Sequence, residues 1–363
     1  MEHTPYVVIN EKKLRRNIIN MSEMAREKNV NLRPHIKTHK IPYIAKMQLD
    51  EGAVGITVAK IAEAKVMAAH GIENIFIAYP IVTASKAEEI CKLNQQIPNL
   101  IVAADSFVGA KVLNDCASKH NQKLQVRLEI DTGLRRTGVL YEEAVSLAKQ
   151  VSQLDNLFLQ GIFTFKGAVY KGEGTIDTES AGREEGELMV EIARQIRAAG
   201  IPLIDISVGS TPTAKSAASV EGITEIRPGT YVFNDSMQVK LGVSSWDECA
   251  AYVVSTVVSK PSTDYVVIDG GSKTFATDVQ PNHSPLNLKG FGAVREYPKA
   301  DFVRMNEEHG ILNIDSTNVE IGEEISIIPN HICSTVNLHN YVFLQLENNE
   351  FQKLTVEARG LVH

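Results

Sequence analysis

Two stretches of the chain concentrate residues able to do chemistry, and they lie almost three hundred positions apart. Asn31-Leu-Arg-Pro-His-Ile-Lys-Thr-His-Lys40 crowds two lysines and two histidines into ten residues. Lys37 is the candidate reactive amine, because His35, His39 and Lys40 as cationic neighbours would disfavour its charged form and leave more free amine to attack a carbonyl. The plain alternative is a basic loop that solvates a strand end. Ile328-Pro-Asn-His-Ile-Cys-Ser-Thr-Val-Asn-Leu-His339 holds His331 and Cys333. In an extended segment positions i and i+2 share a face, so imidazole and thiolate would converge on one ion, and that donor mixture favours zinc over magnesium or manganese. The plain alternative is a buried strand cysteine beside an unrelated histidine.

Between these stretches, Gly209-Ser-Thr-Pro-Thr213 and Pro228-Gly-Thr230 combine small residues, hydroxyls and turn formers. Each alone could cap a helix or make a turn. Together they match the phosphate cradle that the loops after strands seven and eight form in an eight-stranded α/β barrel, with Ser210, Thr211, Gly229 and Thr230 around the anion. A phosphate site across the rim from a strand-end lysine suggests pyridoxal phosphate, whose aldehyde a lysine holds as a Schiff base. Arg136 and Arg227 would then suit the ring or a substrate carboxylate. Otherwise they are rim arginines paired with Glu129, Asp131 or Glu225.

The elements that must position these groups are legible as alternation. Apolar runs at Leu32–Lys37, Gly55–Ala59, Ile75–Tyr79, Leu100–Ala104, Leu124–Ile130, Leu157–Phe165, Ile204–Val208 and Ile223–Tyr231 alternate with amphipathic helical stretches such as Ile61–His70, Ser106–His120, Tyr141–Leu154 and Ser180–Ala199. Eight strand–helix units over about two hundred residues predict an α/β fold, a (β/α)8 TIM-type barrel, with a doubly wound sheet as the competing architecture. Ahead of them Tyr6–Ile9 reads as a strand, and Asn10 as the cap of a helix with Leu14, Ile18 and Met21 on one face. Beyond Tyr231 helical periodicity fades, and Ala251–Val258, Tyr265–Ile268, Glu324–Ile328 and Tyr341–Leu346 predict a mostly β C-terminal domain. The expected division is a barrel over 10–233 and a β domain over 234–363, to which residues 1–9 could also pair.

Composition narrows the function classes. At 363 residues, 44% hydrophobic and with a net charge of -7, the chain reads as a soluble globular protein, and its acidic balance argues against nucleic acid as a partner. No window has the unbroken apolar run that a bilayer requires, and Met1-Glu-His-Thr-Pro5 lacks the features of a signal peptide, so no membrane partner and a cytoplasmic location are expected. Cys91, Cys116, Cys249 and Cys333 are scattered, which suits a reducing compartment.

Arg33-Pro-His-Ile-Lys-Thr-His-Lys40, Gly55-Ile-Thr-Val-Ala59, Asp131-Thr-Gly-Leu-Arg-Arg-Thr-Gly138, Gly209-Ser-Thr-Pro-Thr213, Arg227-Pro-Gly-Thr-Tyr231, Glu307-Glu-His-Gly310 and Pro329-Asn-His-Ile-Cys333, in this order, resemble the D-threonine aldolase and D-serine dehydratase family across nearly the whole chain. The resemblance implies the fold-type III architecture of alanine racemase, Lys37 as the Schiff-base lysine, and a divalent metal on His331 and Cys333. Dehydratases of the family are similar to this sequence in pairing histidine with cysteine and using zinc, whereas its aldolases tend to pair histidine with aspartate and use a harder ion such as manganese or magnesium. Many relatives carry Gly-His-Ser-Tyr where this chain has Gly167-Ala-Val-Tyr170, so Tyr170 remains a candidate cofactor contact and the histidine that could serve aldol cleavage is missing. The implied activity is a metal-assisted pyridoxal phosphate lyase on β-hydroxy D-amino acids, acting as a homodimer. Elimination of water is favoured, with retro-aldol cleavage to glycine and an aldehyde, or amino-acid racemisation, as alternatives.

Overall fold

The computed structural model describes residues 3–363. The chain opens with strand β1 (Tyr6–Asn10) and helix α1 (Glu11–Glu27). Asn10 caps this helix, its Oδ1 accepting the Lys13 N–H at 3.0 Å, and Leu14 and Ile18 are its buried stripe. Two compact units follow from the pattern of contacts. One comprises Asn20–Lys37, Pro42–Gly229 and Leu361–His363, and the other residues up to Ile19, Thr38–Ile41 and Thr230–Gly360.

The first unit is the α/β barrel. In chain order it contains β2 (Asn31–Leu32), α2 (Pro42–Asp50), β3 (Ile56–Val58), α3 (Ile61–Ala69), β4 (Asn74–Pro80), α4 (Ala84–Asn94), β5 (Asn99–Ala104), α5 (Phe107–Lys119) and β6 (Leu124–Asp131). There follow β7 (Val139–Leu140), α6 (Ala144–Ser152), β8 (Leu157–Phe163), the hairpin β9 (Val169–Tyr170) with β10 (Glu173–Gly174), α7 (Thr178–Ala198), β11 (Asp205–Val208), α8 (Ala214–Ala218) and β12 (Glu225–Ile226). Eight strands pair in the order β2-β12-β11-β8-β6-β5-β4-β3, and a parallel bridge from His35 to Thr57 joins the first to the last. These are the eight apolar runs of the sequence.

They read as unbroken runs because helices cover the outside and side chains fill the inside, so both faces of each strand are buried. Ile75, Phe76 and Ile77 in β4 are all fully buried, as are Leu100 to Ala104 in β5 within 1% exposure. Inside the barrel Phe76, Ile101, Ala103 and Phe163 form a cluster, with Phe76 and Phe163 edge to face at 4.9 Å. Beside this cluster lies a charged layer, in which Arg127 reaches Glu225 at 2.5 Å and Asp205 at 2.6 Å while Arg33 reaches Glu225 at 2.7 Å. Ser106 caps α5 by accepting the Gly109 N–H.

The first strand is shorter than expected. Extended pairing stops after Leu32 apart from the His35 bridge, and Ile36–Thr38 forms a 3₁₀ turn. Pro34 has no N–H to give a ladder, so the chain turns there and Lys37 sits in a turn rather than on a strand.

The second unit is strand-rich. It contains α9 (Ser236–Lys240), β13 (Ala251–Ser259), β14 (Tyr265–Ile268), β15 (Gly292–Val294), β16 (Asp301–Met305), β17 (Gly310–Asn313), β18 (Glu324–Pro329), α10 (Ile332–Val336), β19 (Tyr341–Gln345) and β20 (Phe351–Thr355). Its sheet runs β16-β17-β14-β13-β1-β19-β20, with β18 also on β13 and β15 on β18. β1 is a central strand, antiparallel to β13 and parallel to β19. Strands β15, β16, β17 and β20 go beyond the four runs read from the sequence. They bury too few residues to stand out, β20 burying only Leu354.

Candidate active site

Lys37, in the 3₁₀ turn that follows β2, holds its Nζ 5.0 Å from the ring centroid of Phe165. Arg136, on the loop after β6, places its guanidinium 4.9 Å from the same centroid. Phe165, two residues beyond β8, therefore brings together two residues that the sequence could not connect, on one aromatic platform. His35 Nδ1 accepts the Lys37 N–H at 3.4 Å, and His39 Nδ1 accepts the Ile41 N–H at 3.0 Å.

Arg227 is buried at the end of β12. Its guanidinium donates to Ser207 Oγ at 2.5 Å and to the Thr164 carbonyl, and lies 5.2 Å from the Phe163 centroid. It does not pair directly with Glu225; Ser207 stands between them and donates to Glu225 at 2.6 Å. Burial pulls Arg227 down to about 10, which leaves it charged at neutral pH. Glu129, near the end of β6, accepts from Thr137 at 2.8 Å through Oε1, while its buried Oε2 has no hydrogen-bond partner. Burial raises this carboxyl, and Arg136 and Arg227 work against the rise.

The loop after β11 starts at Gly209, whose φ of +87° lies in the left-handed region that glycine reaches without strain. Glu185 of α7, completely buried, holds the loop: its carboxylate accepts the Gly209 N–H at 3.3 Å, the Lys166 N–H at 3.2 Å and the Thr213 hydroxyl at 3.2 Å. Thr213 Oγ1 in turn lies 3.0 Å from the Ser210 hydroxyl, and Thr211 is half-buried at the turn. Gly229 closes the barrel unit. Tyr170 sits half-buried on the β9–β10 hairpin, with the Lys171 ammonium 5.1 Å over its ring.

In the strand-rich unit His331 and Cys333 do converge, but not along a strand. His331 is the extended N-cap of α10 and Cys333 lies in its first turn. His331 Nδ1 is bound by Asp278 at 2.5 Å, and the Cys333 sulfur is close enough for its charge to act on the imidazole. Ser334 donates to the same Asp278 carboxylate at 2.9 Å. Asp235 accepts the Ile332 N–H at 3.0 Å, and burial pushes its carboxyl up to about 6. Cys333 Sγ lies 3.1 Å from Thr38 Oγ1 and 3.4 Å from Thr230 Oγ1, so Thr230 turns its hydroxyl to sulfur. Burial opposes an imidazolium at His331, but the Cys333 and Asp278 charges outweigh it and raise the group well above its ordinary value. Burial likewise opposes a thiolate at Cys333, and His331 outweighs it and lowers the thiol.

The donor set suits a divalent ion: a thiol beside an imidazole whose Nδ1 is oriented by a carboxylate. The barrel residues suit pyridoxal phosphate: a lysine amine beside an aromatic face, two arginines and a buried carboxylate oxygen without a hydrogen-bond partner. Phe165, Glu185 and Asp278 were missed in the sequence, since none lies in a motif whose spacing signals chemistry, while Thr38 lies inside the lysine stretch and drew no role of its own.

Known proteins resemble this chain over nearly its whole length. Residues 9–237 match the family "Alanine racemase, N-terminal domain" and residues 250–345 match "Putative serine dehydratase domain". The D-threo-3-hydroxyaspartate dehydratase of Delftia sp. (strain HT23) is 30% identical, over 92% of this chain and 91% of its own, and its structure superposes with a TM-score of 0.89. The D-serine dehydratase of Dictyostelium discoideum is also 30% identical, over 92% of this chain and 91% of its own. The crystal structure of D-threonine aldolase from Filomicrobium marinum, 27% identical, covers 99% of this chain and 96% of that one with a TM-score of 0.88. Structures of the hydroxyaspartate dehydratase mutated at a histidine and, in a metal-free form, at a cysteine two positions further on also match. The chain belongs to the D-serine dehydratase and D-threonine aldolase family of pyridoxal phosphate lyases, with the fold-type III architecture.

Proposed function

We propose that this protein is a pyridoxal phosphate- and zinc-dependent dehydratase of β-hydroxy D-amino acids, with D-serine the simplest substrate, yielding a 2-oxo acid and ammonia. One observation carries the reading: the Cys333 thiol, paired with His331, touches the hydroxyl of Thr38, the residue that follows Lys37 in the chain. The relative whose cysteine mutant is metal-free carries its mutated histidine and cysteine at the same spacing of two.

In this reading Lys37 holds the cofactor, and Arg136, Tyr170, Ser210, Thr211, Arg227, Gly229 and Thr230 supply the remaining contacts. His331 and Cys333 hold the metal. When bound, pyridoxal phosphate supplies an electron sink for charge developing at Cα, and zinc supplies a Lewis acid for the β-hydroxyl. With substrate in the site, the ε-amino group of Lys37 would take the Cα proton. The Cβ–O bond breaks, hydroxide leaves as water, and the released enamine hydrolyses to 2-oxo acid and ammonia. Arg136 and Arg227 orient anionic groups, and Arg227 keeps its place because Ser207 and Thr164 fix its fork. Asp278 keeps the His331 tautomer that leaves Nε2 free.

Four free cysteines suit a cytoplasmic setting, and no helix among the described residues is long and apolar enough to cross a membrane. A homodimer is the expected assembly. The test is a product assay on D-serine, D-threonine and D-threo-3-hydroxyaspartate, with zinc or manganese added after chelation. Ammonia and 2-oxo acid in equal amounts, restored by zinc, are expected. Glycine with an aldehyde would reassign the enzyme as an aldolase, racemised substrate as a racemase, and full activity after metal stripping would remove the metal role.

A further inference from the structure

We propose that helices α4 and α5 carry a second zinc site, formed by Glu88, Cys116 and His120. Glu88 lies on α4, while Cys116 and His120 are four apart on α5 and its C-cap. That spacing puts both side chains on one helix face, and the two helices pack as neighbours. One ligand atom from each of Glu88, Cys116 and His120 lies within 4.8 Å of the others. His120 Nε2 is 2.7 Å from Glu88 Oε1, and Cys116 Sγ is 3.4 Å from Glu88 Oε2.

Donors on a tetrahedral zinc ion, with bonds of about 2.0 to 2.3 Å, stand roughly 3 to 4 Å apart, so these groups need only small rotamer changes to close on an ion. A sulfur, an imidazole and one carboxylate disfavour magnesium and calcium, which require oxygen, and favour zinc. Access is open from one side: Glu88 and His120 are half-exposed while Cys116 is buried. Burial raises the Cys116 thiol, so binding would release its proton and tighten with pH. With donors from both helices, the ion would clip α4 to α5.

The experiment separates this site from His331 and Cys333. The pyridoxal phosphate-loaded His331→Ala/Cys333→Ala variant is stripped with chelator, kept under a phosphine reductant, and titrated with zinc alone. One zinc per chain by elemental analysis and a rise in Tm with zinc are expected, together with a cobalt spectrum showing thiolate charge transfer and tetrahedral bands. Adding Cys116→Ser should abolish all three. His120→Ala, a milder surface change, should weaken zinc binding by tenfold or more with the circular dichroism spectrum unchanged. No zinc in the double variant would overturn the proposal, as would zinc retained after both further substitutions.

Discussion

Arg127→Met tests the reasoning about the charged layer inside the barrel. Arg127 is fully buried and gives Glu225 two hydrogen bonds, at 2.5 and 3.2 Å, and Asp205 one at 2.6 Å. Glu225 would keep only Arg33 at 2.7 Å and Ser207 at 2.6 Å. Methionine fills similar volume, so little cavity cost enters. What remains is Glu225 with Arg33 alone and Asp205 without the arginine that pairs with it, and breaking a buried pair in this way costs about 3–5 kcal/mol. For a barrel of this size that moves the urea midpoint, followed by far-ultraviolet circular dichroism, down by about 1 M or more. Arg127→Lys keeps the charge but loses the planar fork, and should fall between methionine and wild type. The pH dependence has a definite sign. Burial alone would raise the Glu225 carboxyl, but Arg127 and Arg33 outweigh it and hold the group far below its ordinary 4.5. Its contribution is therefore present above about pH 4.5 and is lost as the pH falls through the folded value. The variant lacks much of that contribution, so the gap between wild type and Arg127→Met should be widest near neutral pH and shrink below about pH 4.5. A midpoint shift worth under about 1 kcal/mol at pH 7, or a gap that widens on acidification, would refute the account.

Three further outcomes follow from the site. Lys37→Ala should abolish dehydration, and after borohydride treatment no pyridoxyl group should be found by mass spectrometry on the peptide that carries it in the wild type. Asp278→Ala removes the partner of His331 Nδ1 and should weaken metal binding about 10- to 100-fold in a chelator competition, with cofactor content unchanged; an unaltered metal affinity would argue against that nitrogen's role. Glu185→Ala strands two backbone N–H groups and the Thr213 hydroxyl, and at about 1–3 kcal/mol for each orphaned group it should lower both Tm and cofactor affinity. A Tm loss with cofactor affinity intact would separate that loop from the phosphate.

What the amino-acid order determined by itself is what local physics can express. The eight barrel strands were legible because parallel strands buried on both faces become short apolar runs, as Ile75–Ile77 and Leu100–Ala104 illustrate. The cap of α1 at Asn10 was legible because a side-chain acceptor three residues before an orphan N–H is a local signal. Lys37, His331 and Cys333 stood out through unusual residue types at close spacing. Tertiary structure alone decided what these residues meet. Asp278 reaches His331 across 53 positions and Cys333 reaches Thr38 across 295. Phe165 joins Lys37 to Arg136, and Glu88 joins Cys116 to His120 across adjacent helices. No periodicity records such pairs, because they are set by how strands and helices stack rather than by neighbours along the chain. The same holds for the turn that carries Lys37: the sequence reads Leu32–Lys37 as one strand, and only the fold ends that strand early and places the amine in a 3₁₀ turn.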